Sequence, residues 1–273
     1  MSLIQAFILG LLQGATEYIP VSSSAHLVLV PWLVGWSEPP FTFDVLVQWG
    51  TLVGVIVYFW HDLWAIVRAA LSGLLRRRPF ESFEARLGWY IVVATIPATL
   101  FGFWLKRAFE ATYSQPLIVA VLLFGTALML VLAEYRGRQQ RSLNQMVWLD
   151  ALDIGMWQVA ALLPGISRSG ATISGAMLRD LERRSAARFS FLLSIPALLG
   201  AGVVAMMDLV RSESLSSELY PLALGFITAA LSGYLCIRWL LRYLQGHRLT
   251  VFAAYCALLG SFCLVIALLR SGL

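Results

Sequence analysis

The sequence has 273 residues, 59% of them hydrophobic and only 13% charged, with a net charge of +5 and a mean hydropathy of +0.78. A soluble domain of this length needs a charged surface, and this chain lacks the charge to make one. The sequence pI near 9.4 is read as the mark of topology-setting arginines in a membrane protein, so no nucleic-acid partner is expected.

In chain order, residues 1–36 form a hydrophobic stretch broken at Tyr18-Ile19-Pro20-Val21-Ser22-Ser23-Ser24. No basic residue precedes Leu3–Leu12, and Gln13 and Glu17 stand where a cleavage site needs small residues, so no cleavable signal is expected. Each half of the stretch is too short to span a bilayer. The prediction is a re-entrant helix–loop–helix hairpin, whose irregular tip is tolerable only if buried in protein or facing a water-filled cavity. Three apolar runs follow, Val45–Trp60, Trp89–Leu105 and Leu117–Ala133. Residues 150–178 then repeat the broken pattern around Leu163-Pro164-Gly165-Ile166-Ser167-Arg168-Ser169. Three further runs close the chain, Phe189–Met207, Leu222–Ile237 and Val251–Leu269. With flanking residues, each run reaches the roughly 17–25 residues of a membrane span. The expectation is an all-α integral membrane protein with six transmembrane helices and two re-entrant hairpins. Cys236, Cys256 and Cys263 all lie in apolar runs and read as small core residues.

Basic residues give the orientation. One set of loops, from Arg68 to Arg86, Arg136 to Arg141, Arg179 to Arg188 and Arg238 to Arg248, holds 15 of the 20 basic residues. The opposite side holds Lys106, Arg107, Arg211 and Arg270, and Arg168 sits inside an apolar segment. The rich side is predicted to be cytoplasmic, with both termini outside.

The chain also repeats itself. Gln13 lies nine residues before Ser22 and Gln158 nine before Ser167, so Ser22-Ser23-Ser24 aligns with Ser167-Arg168-Ser169. Later glycines correspond too: Phe124-Gly125-Thr126 matches Leu259-Gly260-Ser261. Three full spans after each hairpin invert the second half relative to the first. Halves 1–140 and 150–273 are therefore expected to form an inverted repeat of a single membrane domain, the two hairpin tips meeting near the midplane.

Both tips are polar. The first carries Gln13, Glu17, Ser22, Ser23, Ser24 and His26, the second Ser167, Arg168, Ser169 and Thr172. Ionisable groups at membrane depth must pair or line a wet cavity. Glu17 and Arg168 have one bland reading, a buried salt bridge joining the hairpins. The crowd of hydroxyls supports another. Pro164–Gly170 is a helix entry whose N–H groups, hydroxyls and guanidinium all donate, which makes an anion or phosphate cradle. His26, three residues after Ser23 on a helix starting there, is a candidate acid/base. Glu17, with Gln13 one turn away, is a candidate ligand set for a divalent cation, since Mg²⁺ takes one or two carboxylates plus substrate phosphate oxygens.

At these residues the chain resembles the undecaprenyl-diphosphate phosphatase family, also called the bacitracin-resistance proteins. Gln13-Gly14-Ala15-Thr16-Glu17-Tyr18-Ile19-Pro20-Val21-Ser22-Ser23-Ser24-Ala25-His26 resembles its first motif, and Pro164-Gly165-Ile166-Ser167-Arg168-Ser169-Gly170-Ala171-Thr172 its second. Phe43–Gly50, with Gln48, and Phe189–Pro196 also resemble family segments. The resemblance covers essentially the whole chain. It implies removal of the terminal phosphate of a C55 polyprenyl diphosphate at the outer face of the bacterial inner membrane, recycling the lipid carrier for peptidoglycan precursors. Two positions depart from the pattern: the first motif often has Glu where Gln13 stands and Thr where Ser24 stands.

On this reading Arg168, Ser167, Ser169 and Thr172, with Ser22, Ser24 and Gln48, hold the diphosphate. Glu17, assisted by Gln13, binds Mg²⁺ or Ca²⁺. Ser23 is either the nucleophile or the residue that positions a water, with His26 its acid/base partner. The expected partners are the lipid substrate, the bilayer and a second copy of the chain in a homodimer. A rival architecture, the alternating-access transporter or flippase of a phosphorylated lipid or anion, would also want Arg168 and hydroxyls, but has less need of Glu17, Ser23 and His26 together.

Overall fold

The computed structural model describes residues 1–113, 115–210 and 219–271, with side chains outside 105–113, 201, 203–210 and 271. Arg211 and the side chains of Lys106 and Arg107, all expected on the sparsely charged side, lie outside the described residues. Among the described residues the chain is all-helical, with one isolated bridge between Arg141 and Leu181. Five helices are long and apolar enough to cross a membrane: α3 (Phe41–Tyr58), the Phe83–Trp104 part of α5 (Phe83–Tyr113), α6 (Pro116–Arg136), α10 (Leu219–Tyr243) and α11 (Thr250–Ser271). The remaining expected run, Phe189–Met207, falls in α9 (Arg183–Val210), part of whose side chains lie outside the described residues.

Two stretches are broken where the sequence placed the breaks. The first is α1 (Leu3–Tyr18) and α2 (Ser23–Val34), the second α7 (Trp148–Ala160) and α8 (Arg168–Leu178). At 1.5 Å per residue these helices are only about 16–24 Å long, short of the ~30 Å hydrocarbon core. One helix was not expected. The arginine-rich stretch after α3, read as a loop, begins as α4 (Trp60–Leu75). Its apolar residues fall on helical faces, and Ile66 and Ala70 pack against α5 at Gly88.

Packing crosses between the two halves of the chain. α1 and α3 both lie along α10, α7 lies along α5, and α6 lies along α11. Small residues make these approaches, as expected where apolar burial gives no advantage over lipid and close van der Waals contact must hold helices together. A Cβ on Gly14 of α1 would sit 2.5 Å from the Ala229 carbonyl oxygen of α10, and one on Gly155 of α7 would sit 2.5 Å from the Ala94 oxygen of α5.

Ion pairs tie the arginine-rich loops into one end of the bundle. Arg183 and Arg248 both reach Glu134 at the end of α6, which also accepts from the Leu249 N–H at 3.1 Å. Arg141 and Arg179 both hold Asp150 at 2.7 Å, closing the mouth of the second hairpin. Arg188 holds Asp62 of α4 at 2.9 Å. At the other end of α11, Arg270 donates to the Trp32 and Leu33 carbonyls at 2.9 and 2.8 Å and lies over the Trp32 ring, so it caps α2. α11 thus runs from the mouth of one hairpin to the mouth of the other.

Gly155→Val should force α5 and α7 apart and lower the thermal midpoint in detergent, with a loss of roughly 1–3 kcal/mol from overpacking. Gly102→Ala is the control: its Cβ would meet nothing closer than 3.6 Å, and its midpoint should be unchanged or slightly raised.

Candidate active site

The two hairpin tips face each other and their side chains interlock. At the first tip Ser22 takes a left-handed backbone (φ 70°) and caps α2 by accepting from the Ala25 N–H at 3.3 Å. At the second, Gly165 (φ 104°) makes the bend; a side chain there would strike the Val119 carbonyl oxygen at 2.6 Å. Ser167 caps α8 by accepting from the Gly170 N–H at 3.0 Å. The tips therefore bring together two helix N-termini, whose first N–H groups have no intrahelical partner and carry the positive end of each helix dipole.

Glu17 is the centre of the constellation. Its Oε1 accepts from Arg168 Nη2 at 2.6 Å, and its Oε2 accepts from Ser23 Oγ at 2.6 Å and Gln13 Nε2 at 3.0 Å. The carboxylate is 7% exposed and the guanidinium side chain 17%, so the pair is largely withdrawn from its surroundings but not sealed. Hydroxyls surround it. Ser22 and Ser24 share a hydrogen bond at 3.2 Å, Ser167 and Ser169 another at 3.1 Å, and Ser24 Oγ accepts from the Gly165 N–H at 3.5 Å across the gap. Ser169 donates to the Ile19 carbonyl at 3.5 Å. The structure thus brings Gln13, Glu17, Ser22, Ser23, Ser24, Ser167, Arg168 and Ser169 together.

Three expected residues stand differently. His26 makes no hydrogen bond to Ser23. Its Nδ1 bonds the Ser22 carbonyl at 2.7 Å and its Nε2 bonds the Tyr255 hydroxyl of α11 at 2.7 Å. Carbonyl oxygens only accept, so Nδ1 carries the proton and Nε2 accepts from tyrosine. The neighbour of the Ser23 hydroxyl is instead Glu17. Thr172 turns its hydroxyl back to the Arg168 carbonyl at 2.8 Å and to Ser190 at 2.6 Å, which steadies the first turn of α8 from behind. Gln48 offers its backbone carbonyl to Thr51 at 2.6 Å, and its side chain forms no hydrogen bond with the tips.

Two supporting residues were missed. Thr126 of α6 accepts from the Ser167 N–H at 2.8 Å and donates to the Gly165 carbonyl at 2.9 Å, so it holds the second tip by its backbone. Its match with Ser261 in the repeat was the available signal. Tyr255 carried none beyond a hydroxyl in an apolar helix.

A metal site can be tested on the donors present. Among the described residues no group of three His, Cys, Asp or Glu is gathered. Gln13 Oε1, however, is buried without a partner beside the Glu17 carboxylate. One carboxylate and one unused amide oxygen fit a hard cation that takes most of its ligands from phosphate and water.

A neutral-on-balance cluster of carboxylate, guanidinium, hydroxyls and two helix starts, built between the helices of a multi-pass membrane protein, has the donors that a phosphorylated ligand would need. Residues 6–262 match the family of bacitracin resistance protein BacA, and the chain belongs to that family. It is 45% identical to an undecaprenyl-diphosphatase of Chlorobaculum tepidum over 95% of both chains. It is 43% identical to one of Myxococcus xanthus, over 100% of this chain and 91% of that protein. It is 40% identical to one of Thermomicrobium roseum, over 97% and 98%.

Thr126→Val keeps the shape but strands the Gly165 carbonyl and the Ser167 N–H, and should cost about 1–3 kcal/mol of stability, read as a lower melting point. Tyr255→Phe should leave the protein folded and lower turnover by up to about ten-fold, the size of one lost hydrogen bond. Both follow from melting curves run beside a phosphate-release assay.

Proposed function

We propose that this protein is an undecaprenyl-diphosphate phosphatase that releases the terminal phosphate of the lipid and leaves the monophosphate for reuse in cell-wall synthesis. The observation that carries the reading is the Ser23–Glu17–Arg168 chain of hydrogen bonds across two opposed helix starts. A carrier needs the guanidinium and the hydroxyls; it has no use for a serine hydroxyl held on a carboxylate, which is the arrangement of a nucleophile beside its base.

On entry, the diphosphate competes with Glu17 for Arg168. The guanidinium fork, the hydroxyls of Ser22, Ser24, Ser167 and Ser169, and the N–H groups of both helix starts hold its oxygens and offset the charge that builds in the transition state. Glu17 accepts the proton from Ser23, or from a water that Ser23 positions, as attack on the terminal phosphorus begins. His26, fixed between the Ser22 carbonyl and Tyr255, holds the strained first turn of α2 in place and lies one helical turn from the attacking group. A divalent cation, Mg²⁺ or Ca²⁺, held by Glu17 and Gln13, would supply positive charge to the diphosphate oxygens.

The topology belongs to the same proposal. We read the α1–α2 and α7–α8 hairpins as re-entrant from opposite faces, with six full spans, in an inverted repeat of halves 1–140 and 150–273. The support is the paired packing of α1 on α10 and α7 on α5, together with hairpin mouths at opposite ends of α11. The arginine-rich end is then cytoplasmic, both termini lie outside, and the site opens toward the outer face. The assembly we expect is a homodimer in the bacterial inner membrane.

Arg168→Ala should abolish phosphate release and, by leaving Glu17 unpaired, also lower the melting point; Arg168→Lys keeps the charge and the fold but should still be poor, because a point charge does not replace the fork. Glu17→Gln should remove cation-dependent activity. Near wild-type turnover by either alanine or glutamine variant would sink the assignment. EDTA should stop the reaction and added Mg²⁺ or Ca²⁺ restore it. With terminally labelled substrate, Ser23→Ala should lose several orders of magnitude if label appears on wild-type Ser23. If no label appears, its loss should be about 10²-fold or less, the size of one acid–base contact. A transporter would release no phosphate at all.

A further inference from the structure

α4 has a face the bundle does not use. Ile66 and Ala70 lie against α5, and Gly73 lies against the chain turning back at Arg78 and Pro79. Trp64, Val67, Leu71 and Leu74 recur at helical spacing on another side and are exposed, Trp64 at 62%. Exposed apolar stripes of this kind beside basic residues mark helices lying in the membrane interface, with tryptophan at the headgroup level.

Beside the stripe, between α4 and residues 78–85, lies a cavity of about 590 Å³. Arg68, Arg76, Arg78, Ser72 and Ser82 line it, with Glu81 and Glu84. Arg78 is spent on Glu81 at 3.3 Å. The side chains of Arg68 and Arg76 make no ion pair and no hydrogen bond among the described residues. The cavity is therefore lined by two uncommitted guanidinium groups next to an apolar strip of helix. Nothing in the hairpin site accounts for it, as α4 touches neither tip.

We propose that this cavity binds the headgroup of an anionic phospholipid, with the acyl chains lying along Trp64, Val67, Leu71 and Leu74. Charge selects the class. Arg68, Arg76 and Arg78, flanked by Arg77 and Arg86, outnumber Glu81 and Glu84, so a headgroup with net negative charge is favoured over a zwitterionic one whose own cation would meet the arginines. The apolar strip selects a lipid over a free anion, which would leave it unused.

The test uses the full-length protein, extracted from nanodiscs of phosphatidylcholine with or without phosphatidylglycerol, and native mass spectrometry to count retained lipid. The wild-type protein should keep one phosphatidylglycerol through partial delipidation. Arg68→Gln combined with Arg76→Gln should retain at least about ten-fold less, since each arginine near a lipid phosphate is worth about a factor of five. Arg68→Lys with Arg76→Lys should keep most of it, which separates lost charge from lost folding. Arg136→Gln with Arg242→Gln removes the same charge elsewhere on that end and should change nothing. Equal loss in the Arg136/Arg242 variant, or equal retention of phosphatidylcholine, would overturn the site. So would preferential retention of a polyprenyl monophosphate offered in equal amount, which would make the cavity a second prenyl-phosphate site.

Discussion

Arg168 crosses from one hairpin to Glu17 on the other at 2.6 Å, in a part of the molecule where an unpaired charge is very costly. Neither hairpin can bring its ionisable residue to depth alone. Each needs the other's opposite charge, so correct apposition of the tips is enforced by the cost of any other arrangement. A buried pair of this kind is weak evidence for stability, because desolvation of both ions offsets their attraction. Its value is in specifying one geometry. The hydroxyl pairs Ser22–Ser24 and Ser167–Ser169 and the Thr126 clamp on Gly165 and Ser167 then fill in around a position already fixed.

The rest of the fold serves that apposition. Gly14 lets α1 approach α10, and Gly155 lets α7 approach α5, so each hairpin is seated on a long helix from the opposite part of the chain. The clamps at the mouths act as anchors. Asp150 with Arg141 and Arg179 fixes one hairpin, and Arg270 on the end of α2 fixes the other. Between anchor and tip each short helix is held laterally by close packing, so the irregular backbone turn is buried in protein, as the proposed re-entrant placement requires.

Much of this was readable in the sequence. Hydropathy located the long helices, and proline with serine in the middle of an apolar stretch located both breaks. Motif spacing then gathered the residues that meet at the tips. What escaped has a common cause. Thr126 and Tyr255 act through single hydroxyls on otherwise apolar helices, and a lone hydroxyl has no periodicity to betray it. The His26–Ser23 contact looked sound from three-residue spacing, yet the ring turns to Ser22 and Tyr255, because spacing along a helix fixes a face and not a rotamer. α4 was hidden by Arg68 and by the Arg76–Arg78 run that follows it, which read as loop until the apolar residues of 60–75 are placed on a wheel.

One carboxylate and one guanidinium make the resting site electroneutral. That has a consequence for loading. A diphosphate brings several negative charges into a place that holds no surplus positive one, so it cannot simply dock: either the Glu17–Arg168 pair opens and leaves Glu17 facing added negative charge, or a counterion travels in with the lipid. The second route moves a nearly neutral salt into a low-dielectric cleft, which is far less costly than moving a bare anion. On the proposed reading, in which Glu17 and Gln13 hold a cation, occupancy by substrate and by cation would be thermodynamically linked, each raising the affinity for the other by the same factor.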